Sequence, residues 1–285
     1  MCAMRLLVTG AAGMLGRDVV AAAGDAGHEV VALARADLDI ADAAAVLAAM
    51  KIARPGAVIN CAAWTDVDGA EAAEAEATTV NGSGAGNVAI AAAQHDALTV
   101  QVSSDYVFDG LATEPYTEDA ATAPQSAYGR SKLAGELAVQ AAGGPAAVVR
   151  ASWLFGPYGR NFVDTMRRLG AERDELAVVD DQVGCPTYTG HLAPALVAVA
   201  ERSLTGTLHV AGGGYCSWRD LAIATFEETG LTPTVRAQST ADLGRPAPRP
   251  AFSALAGTRE DAPVLPHWRD GVRAHLARTP QEVPT

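Results

Sequence analysis

The stretch LLVTGAAGMLG, residues 6–16, joins a short apolar run to a glycine-rich loop that opens a helical segment. The apolar run is typical of a buried parallel strand, and glycines at positions 10, 13 and 16 permit a tight turn with a close backbone approach. The helix that follows offers free N–H groups to a pyrophosphate. The spacing is GxxGxxG, whereas the dinucleotide fingerprint is GxGxxG, so the loop alone also fits an ordinary strand–helix turn.

Short apolar runs and alanine-rich helical segments alternate outward from this stretch. Strands are predicted at 6–9, 30–33, 57–60, 98–102, 147–150 and 176–179, and helices near 14–26, 42–53, 70–95, 160–172, 189–203 and 217–230. This alternation predicts an α/β protein with a Rossmann-like, doubly wound parallel sheet. We expect an NAD(P)-binding domain over residues 1–150 and a smaller C-terminal α/β substrate-binding lobe over 151–285, some of whose segments return to the first domain. The polar tail beyond Arg278 is expected to fray.

The composition limits the classes of partner. The chain has 285 residues and a formal net charge of −12, which disfavours nucleic acid and anionic membrane surfaces. Its four cysteines form no CxxC pair, so we expect no metal site and no disulfide framework, in a reducing, cytoplasmic setting. No apolar run approaches the roughly 20 residues of a membrane helix. We therefore expect neither nucleic acid nor a membrane as a partner, and the small-molecule substrate has to be inferred from the motifs.

Arg35 follows the second predicted strand. In dinucleotide-binding folds an Asp or Glu at this place binds the ribose 2′-hydroxyl of NAD, whereas an arginine accommodates the 2′-phosphate of NADP. Arg35 therefore favours NADPH, with NADH left open. A solvated loop arginine fits the sequence equally well.

Tyr128 and Lys132 lie four residues apart in SAYGRSKLAGE, residues 126–136, and so share one face of a predicted helix. A phenol has an unperturbed pKa near 10, and we expect a neighbouring ammonium to lower that pKa toward the working range. The pair alone is common on amphipathic helices. Ser104, however, follows the fourth predicted strand, at the edge where open α/β sheets place ligands, and could hold a carbonyl oxygen. Ser103 is adjacent and could take the same role.

The glycine loop, Ser104, Tyr128 and Lys132 together resemble the extended short-chain dehydrogenases/reductases. Further segments resemble, more narrowly, the dTDP-4-dehydrorhamnose reductase family: NCAAWTDVD (60–68), SDYVFDG (104–110), RASW (150–153), DQVGCPT (181–187) and RPAFS (249–253). The resemblance spans essentially the whole chain. It implies reduction of the C4 keto group of a dTDP-4-keto-6-deoxy sugar, foremost dTDP-4-dehydro-β-L-rhamnose to dTDP-L-rhamnose, by hydride from NAD(P)H.

The resemblance also implies roles for single residues. Tyr128 would be the proton donor, Lys132 would bind the nicotinamide ribose, and Ser104 stands where threonine is usual. The cofactor would contact Tyr128, Lys132 and the residues Gly10, Ala12, Gly13, Met14, Leu15, Asp39, Ile40, Ala62, Ala63 and Thr65. The sugar nucleotide would contact Thr65, Val67, Ser104, Asp105, Tyr128, Trp153 and Arg249, the last through its diphosphate.

The resemblance is incomplete at one kind of site. Some relatives bind magnesium through glutamates at a dimer interface. The matching positions here are Leu15 and Gly190, so we expect no such metal site, and a homodimer stays open.

Three other functions are compatible with parts of this sequence to different degrees. A 4-ketoreductase for another dTDP-deoxysugar of specialised metabolism would use the same residues. A dehydratase or epimerase is disfavoured, because residues 104–106 read Ser-Asp-Tyr and lack the glutamate of the dehydratases' Thr-Asp-Glu triplet. A non-catalytic, reductase-like regulatory subunit would not need Ser104, Tyr128 and Lys132 together.

Overall fold

Residues 3–278 are described by a computed structural model, and their first half alternates strands with helices. The elements in chain order are β1 (Arg5–Thr9), α1 (Met14–Asp25), β2 (Glu29–Leu33), α2 (Ala43–Ala53), β3 (Ala57–Asn60), α3 (Val67–Ala72), α4 (Glu74–Thr78), a π-helix (Thr79–Gly84), α5 (Ala85–Ala93), β4 (Leu98–Ser104), a 3-10 turn (Asp105–Val107), α6 (Ala127–Ala141) and β5 (Ala146–Ala151).

The second half mixes helices with short strands. The elements are β6 (Leu154–Phe155), α7 (Phe162–Glu172), β7 (Glu175–Val179), β8 (Val183–Gly184), β9 (Thr187–Tyr188), α8 (Thr189–Glu201), β10 (Gly206–His209), β11 (Cys216–Ser217), α9 (Trp218–Thr229), β12 (Thr234–Gln238), α10 (Thr240–Leu243) and α11 (Trp268–Ala277). The tail beyond Arg278 lies outside the described residues. Within 3–278 no helix is both long and apolar enough to cross a membrane.

Six parallel strands form the main sheet, in the order β10-β5-β4-β3-β1-β2. The strand order reverses beside β1, because β2 lies on one side of it and β3 to β5 lie on the other. Such a reversal leaves a crevice at the carboxyl ends of the strands. The predicted Rossmann-like α/β fold with a parallel sheet is confirmed.

The sixth strand is not the one predicted. The run 176–179 was expected to continue the alternation of the main sheet, but β7 pairs with β12 in a separate two-stranded sheet. Its residues Glu175 and Ala177 are exposed, so the strand is covered on one face only. A strand inside a sheet with helices on both faces must be buried on both. The short strand β10, whose Leu208 and His209 are buried, joins β5 instead.

Helices cover both faces of the sheet, and successive residues of β1 show this directly. Leu6 and Val8 pack against α1 and α8, whereas Leu7 faces the opposite layer of α2 and α5. Burial of one such side chain contributes about 1.5–3 kcal/mol. The sheet is therefore fixed between two apolar layers, and α8 is a segment of the second half that returns to the first.

The single helix predicted over 70–95 is broken into α3, α4, the π-helix and α5. The first break is at Ala73, whose φ of −137° is not helical. The π-helix contains Asn81, whose amide oxygen accepts from the Trp64 N–H at 2.8 Å while its amide nitrogen donates to Ser131 Oγ at 2.9 Å. Asn81 therefore connects the segment after β3 to α6.

Candidate active site

A cleft of about 680 Å³ lies at the carboxyl ends of the strands β1 to β5. All the predicted site residues line it except Arg249: Gly10, Ala12, Gly13, Met14, Leu15, Arg35, Asp39, Ile40, Ala62, Ala63, Thr65, Val67, Ser104, Asp105, Tyr128, Lys132 and Trp153. Residues far apart in the sequence thus meet in one place. This is the position at which open α/β sheets bind ligands.

The glycine loop forms the floor of one end of the cleft. Gly10 has φ of +64°, and a Cβ built there would lie 2.6 Å from the backbone nitrogen of Ala62, so both the turn and the close approach require glycine. Gly13 is the N-cap of α1 and has no side chain with which to cap the helix. The first turn of α1 carries no acidic residue. The first N–H groups of a helix have no partner within it. The loop therefore fits an anion such as a pyrophosphate.

The segment after β3 is shaped by a buried hydrogen-bonded ladder. Asn60 Oδ1 accepts from the Ala62 N–H at 3.2 Å, and Asn60 Nδ2 donates to Gln101 Oε1 at 2.6 Å. These bonds hold the backbone of 61–63 against the glycine loop. They explain why the motif NCAA, beginning at Asn60, lies at the floor of the cleft.

Arg35 lies beyond the end of β2, is exposed, and lines the cleft. Within residues 3–278 its guanidinium makes no hydrogen bond or ion pair, so it is available to an anionic ligand. The nearby Ile40 is buried, whereas Asp39 uses Oδ1 to accept from the Ala41 N–H at 3.0 Å. This side of the cleft therefore combines an apolar wall with the guanidinium of Arg35.

Tyr128 and Lys132 lie one turn apart on α6, which begins where Ser126 caps the Gly129 N–H at 3.1 Å. Lys132 is 5% exposed, and its ammonium donates to the Val102 carbonyl at 2.8 Å. Burial lowers the pKa of Lys132 to about 8, although Glu136 opposes that shift. The ammonium is thus held at the floor of the cleft, where it is still protonated at pH 7.

The pKa of Tyr128 differs from the sequence-based expectation. Burial raises it to about 12, and the adjacent Ser104 hydroxyl only partly offsets that effect. The expectation was that Lys132 would lower it, but in this structure the ammonium bonds to Val102. A phenol of this pKa is fully protonated at neutral pH. It is therefore equipped to donate a proton.

The two adjacent serines belong to different networks because successive strand residues point to opposite faces. Ser103 Oγ donates to Glu136, which also binds Arg150 through two bonds of 2.9 and 2.7 Å. Ser104 Oγ donates to Asp105 Oδ1 at 3.0 Å and lies beside Tyr128. Ser104 therefore faces Tyr128, and Ser103 bonds to the buried Glu136–Arg150 ion pair on the other face of the strand.

Two stacked indoles form part of the wall of the cleft. Trp153 and Trp218 lie with ring centroids 3.6 Å apart and planes at 5°, and both line the cleft. Trp153 has φ of +47°, and a Cβ on Gly184 would lie 2.7 Å from its Nε1, so glycine is needed there. Trp218 Nε1 donates to Gln182 Oε1 at 3.0 Å. The second half of the chain thus supplies one flat apolar wall.

Sequence reasoning missed several residues that line the cleft. Trp64 and Tyr106 lie inside motifs already noted, and their neighbours could have pointed to them. Arg160 lies beyond β6 in the segment that follows Trp153, is exposed, and makes no ion pair within residues 3–278. Trp218 has no local signal, because only the fold brings α9 to Trp153.

Arg249 lies outside the set of lining residues. Its Nη2 binds Asp68 Oδ2 at 3.0 Å, and its Nη1 donates to the Ala247 carbonyl at 2.8 Å. This pairing holds the pKa of Asp68 at about 2. In this structure Arg249 anchors the proline-rich loop to α3, and its predicted contact with a diphosphate stays a prediction.

The part of the chain from 3 to 278 places no three His, Cys, Asp or Glu side chains together in a way that would hold a metal ion. The expected absence of a metal site stays a prediction.

Comparisons with known proteins agree with this geometry. A family model described as the RmlD substrate binding domain matches residues 4–280. The dTDP-4-dehydrorhamnose reductase of Mycobacterium tuberculosis (strain ATCC 25618 / H37Rv) is 46% identical over 284 residues, which cover 96% of this chain and 92% of that protein. A probable dTDP-4,6-dihydroxy-2-methyloxan-3-one 4-ketoreductase of Streptomyces antibioticus is 44% identical over 276 residues, 95% of this chain and 94% of that protein.

A solved structure gives the same result. The dTDP-4-dehydrorhamnose reductase of Bacillus anthracis str. Ames, in complex with NADP, has a TM-score of 0.94 at 37% identity and covers 98% of this chain and 100% of that one. The resemblance drawn from the motifs is confirmed. The chain belongs to the RmlD substrate binding domain family, together with the dTDP-4-dehydrorhamnose reductases.

Proposed function

We propose that this protein reduces the C4 keto group of a dTDP-4-keto-6-deoxy sugar, foremost dTDP-4-dehydro-β-L-rhamnose to dTDP-L-rhamnose, with NADPH as the hydride donor and NADH as a second choice. The observation that carries the proposal is the meeting of Ser104, Tyr128 and Lys132 beside a glycine loop in a chain of this family. The NADP complex of the Bacillus anthracis relative supports the cofactor.

The roles follow from the geometry of the cleft. The glycine loop and the N-terminus of α1 would hold the pyrophosphate, and Lys132 would bind the nicotinamide ribose. When bound, the cofactor supplies a hydride to C4. Ser104 holds the C4 oxygen, and Tyr128 delivers its phenolic proton to that oxygen. The ammonium of Lys132 then stabilises the phenolate that remains.

The sugar would lie between this trio and the indole of Trp153. Thr65, Val67 and Asp105 line the same part of the cleft, and we keep them as substrate-binding candidates. The division into an NAD(P)-binding domain over residues 1–150 and a substrate-binding lobe over 151–285 is part of this proposal. So are a homodimer and a cytoplasmic setting. Sedimentation analysis would test the homodimer.

A panel of dTDP-4-keto-6-deoxy sugars, each offered with NADPH and with NADH, tests the function. We expect cofactor oxidation with the 4-keto rhamnose precursor and a product whose C4 configuration, assigned by NMR, is that of rhamnose. The Streptomyces antibioticus relative favours a second candidate, a 4-ketoreductase for another dTDP-deoxysugar. Turnover restricted to another sugar would establish that candidate. Cofactor binding without turnover of any sugar would favour a regulatory subunit.

Arg35→Ala tests the choice of cofactor. Because the exposed guanidinium of Arg35 lines the cleft and is unpaired among the described residues, it can bind the 2′-phosphate of NADPH. One charge-assisted bond of this kind corresponds to about tenfold in affinity. We expect the KM for NADPH to rise about tenfold and the KM for NADH to stay nearly constant, with the exposed Arg173→Ala as the control. Equal changes for both cofactors would rule out a 2′-phosphate contact.

Arg160→Ala and Arg249→Ala together test the site of the substrate's diphosphate. Both arginines are candidates, but Arg249 already pairs with Asp68, whereas Arg160 faces the cleft with no such partner among residues 3–278. We expect Arg160→Ala to raise the KM for the sugar nucleotide about tenfold and Arg249→Ala to raise it less. The KM for NADPH serves as the internal reference. A larger effect at Arg249 would assign the diphosphate to the proline-rich loop.

A further inference from the structure

Asp105 is a buried carboxylate held by hydroxyl groups. It lies in the 3-10 turn after β4 and is 2% exposed. Its Oδ1 accepts from Ser104 Oγ at 3.0 Å, and its Oδ2 accepts from Ser152 Oγ at 3.0 Å and Ser253 Oγ at 2.6 Å. Within residues 3–278 no lysine, arginine or histidine bonds to it. A buried acid is normally paired with a base, so this arrangement requires an explanation.

Ser104 connects this carboxyl group to the reacting phenol. A serine hydroxyl donates one hydrogen bond and accepts up to two. While Asp105 is ionised, Ser104 gives its proton to Oδ1 and can accept from Tyr128. When Asp105 is protonated it can donate to Ser104, whose single proton is then free to bond the C4 oxygen during reduction and to turn to Tyr128 afterwards. These three groups can therefore pass a proton from Asp105 through Ser104 to Tyr128.

We propose that Asp105 is the proton reservoir of the site and returns a proton to Tyr128 through Ser104 after each reduction. This inference rests on the proposed function. The Tyr128 O–H bond breaks as the C4 hydroxyl forms, and the Ser104 O–H bond breaks as that of Tyr128 re-forms. The Asp105 O–H bond breaks as that of Ser104 re-forms. The carboxylate then takes one proton from solvent, so the cycle consumes the single proton that ketone reduction requires.

The surroundings of Asp105 favour this direction. Burial raises the pKa of Asp105 to about 6, whereas the pKa of Tyr128 is about 12, so transfer from the acid to the phenolate is downhill. The other titratable groups facing Asp105 are Tyr106 in its own turn and Cys185 between β8 and β9. Burial raises the pKa of both, so they are neutral at pH 7 and do not compete. The Glu136–Arg150 ion pair bonds to Ser103 instead.

Two variants separate this role from a purely structural one. Asp105→Asn keeps the shape and can still bond to the serines, but it has no proton to release. We expect wild-type kcat to fall as the pH rises above about 6, and Asp105→Asn to lose that dependence and to be slower by about tenfold or more at pH 6. The KM for NADPH should stay within about twofold. Asp105 acts through Ser104, so it is a positioning residue.

Ser253→Ala gives the sharper measurement. It removes one donor to Oδ2 and leaves the Asp105–Ser104 bond in place, so the pKa of Asp105 should rise and the inflection of kcat should move to higher pH. Thr225→Val, which removes a buried hydroxyl from α9, should leave the inflection unchanged. A shift in Ser253→Ala alone supports the proposal. An unmoved inflection, or a normal pH profile in Asp105→Asn, overturns it.

A measurement without substrate keeps this test apart from the proposed function. Carbon-13 NMR of labelled aspartate carboxyl groups, with Asp105→Asn identifying the resonance, should show a titration near pH 6. A titration near the ordinary aspartate value would overturn the reservoir even in an active enzyme. If the resonance titrates as expected but no dTDP-sugar is reduced, the proposed function has failed rather than the protonation of Asp105.

Discussion

Tyr128→Phe is expected to lower kcat by about 10²–10⁴-fold, the range measured for loss of a positioned general acid. The phenylalanine ring can keep the edge-on contact with Tyr106, whose centroid lies 5.5 Å away, so the helix and the cleft should stay intact. The variant loses only the proton that would be given to the C4 oxygen. Steady-state rates with the 4-keto sugar and NADPH, together with a fluorescence titration of NADPH, measure both effects.

The control is Tyr188→Phe in the second half of the chain. It removes a hydroxyl that accepts one long hydrogen bond of 3.4 Å from Arg278. It should turn over at nearly the wild-type rate. We expect Tyr128→Phe to bind NADPH within a few-fold of wild type. A Tyr128→Phe variant that turned over at nearly the wild-type rate would show that another group protonates the sugar.

The main sheet and the centre of the site were predictable because their signals are local. A strand buried on both faces is an unbroken apolar run, and the glycine loop and the Tyr128–Lys132 spacing lie within single segments. The strand β10 was not predicted, because only four residues, Gly206–His209, carry its signal. The run 176–179 carried a stronger signal but belongs to a separate pair of strands.

The parts of the site that were not predictable depend on contacts between distant segments. Nothing in the sequence separates Ser103 from Ser104, because the difference lies in what each face of β4 meets. Trp218 reaches Trp153 across 65 residues of chain, through the packing of α9. The same holds for Ser253, which meets Asp105 only in the folded protein. The motifs therefore pointed to the candidate reacting groups, and the fold was needed to show which side chains lie around them.

Lys132→Met is expected to abolish most activity, with kcat/KM lower by about 10²-fold or more and NADPH bound about tenfold more weakly. The change removes the buried ammonium that would bind the ribose and stabilise the phenolate. The chain offers a matched control, because its other lysine, Lys51, lies exposed near the end of α2. Lys51→Met should leave both quantities unchanged. Equal effects of the two changes would remove Lys132 from the site.

The same variant should not lose stability, and this separates a functional lysine from a structural one. Burial lowers the pKa of Lys132 from 10.5 to about 8, so at pH 7 the folded protein holds a charge that the unfolded chain accommodates more easily. That difference corresponds to a cost of up to about 3 kcal/mol. Lys132→Met removes this cost but also the bond to Val102, so its free energy of unfolding at pH 7 should equal or exceed that of wild type.

The effect of Lys132 on the free energy of unfolding depends on pH. Between about pH 8 and 10.5 the folded protein has released the Lys132 proton while the unfolded chain still holds it. The free energy of unfolding of the wild type therefore rises with pH in that window. Below pH 8 the cost is fully present. Urea unfolding at pH 7 and pH 10 should therefore show the advantage of Lys132→Met shrinking as the pH rises. A variant that is less stable at pH 7, with a deficit that does not change with pH, would mean that the ammonium supports the fold rather than the reaction.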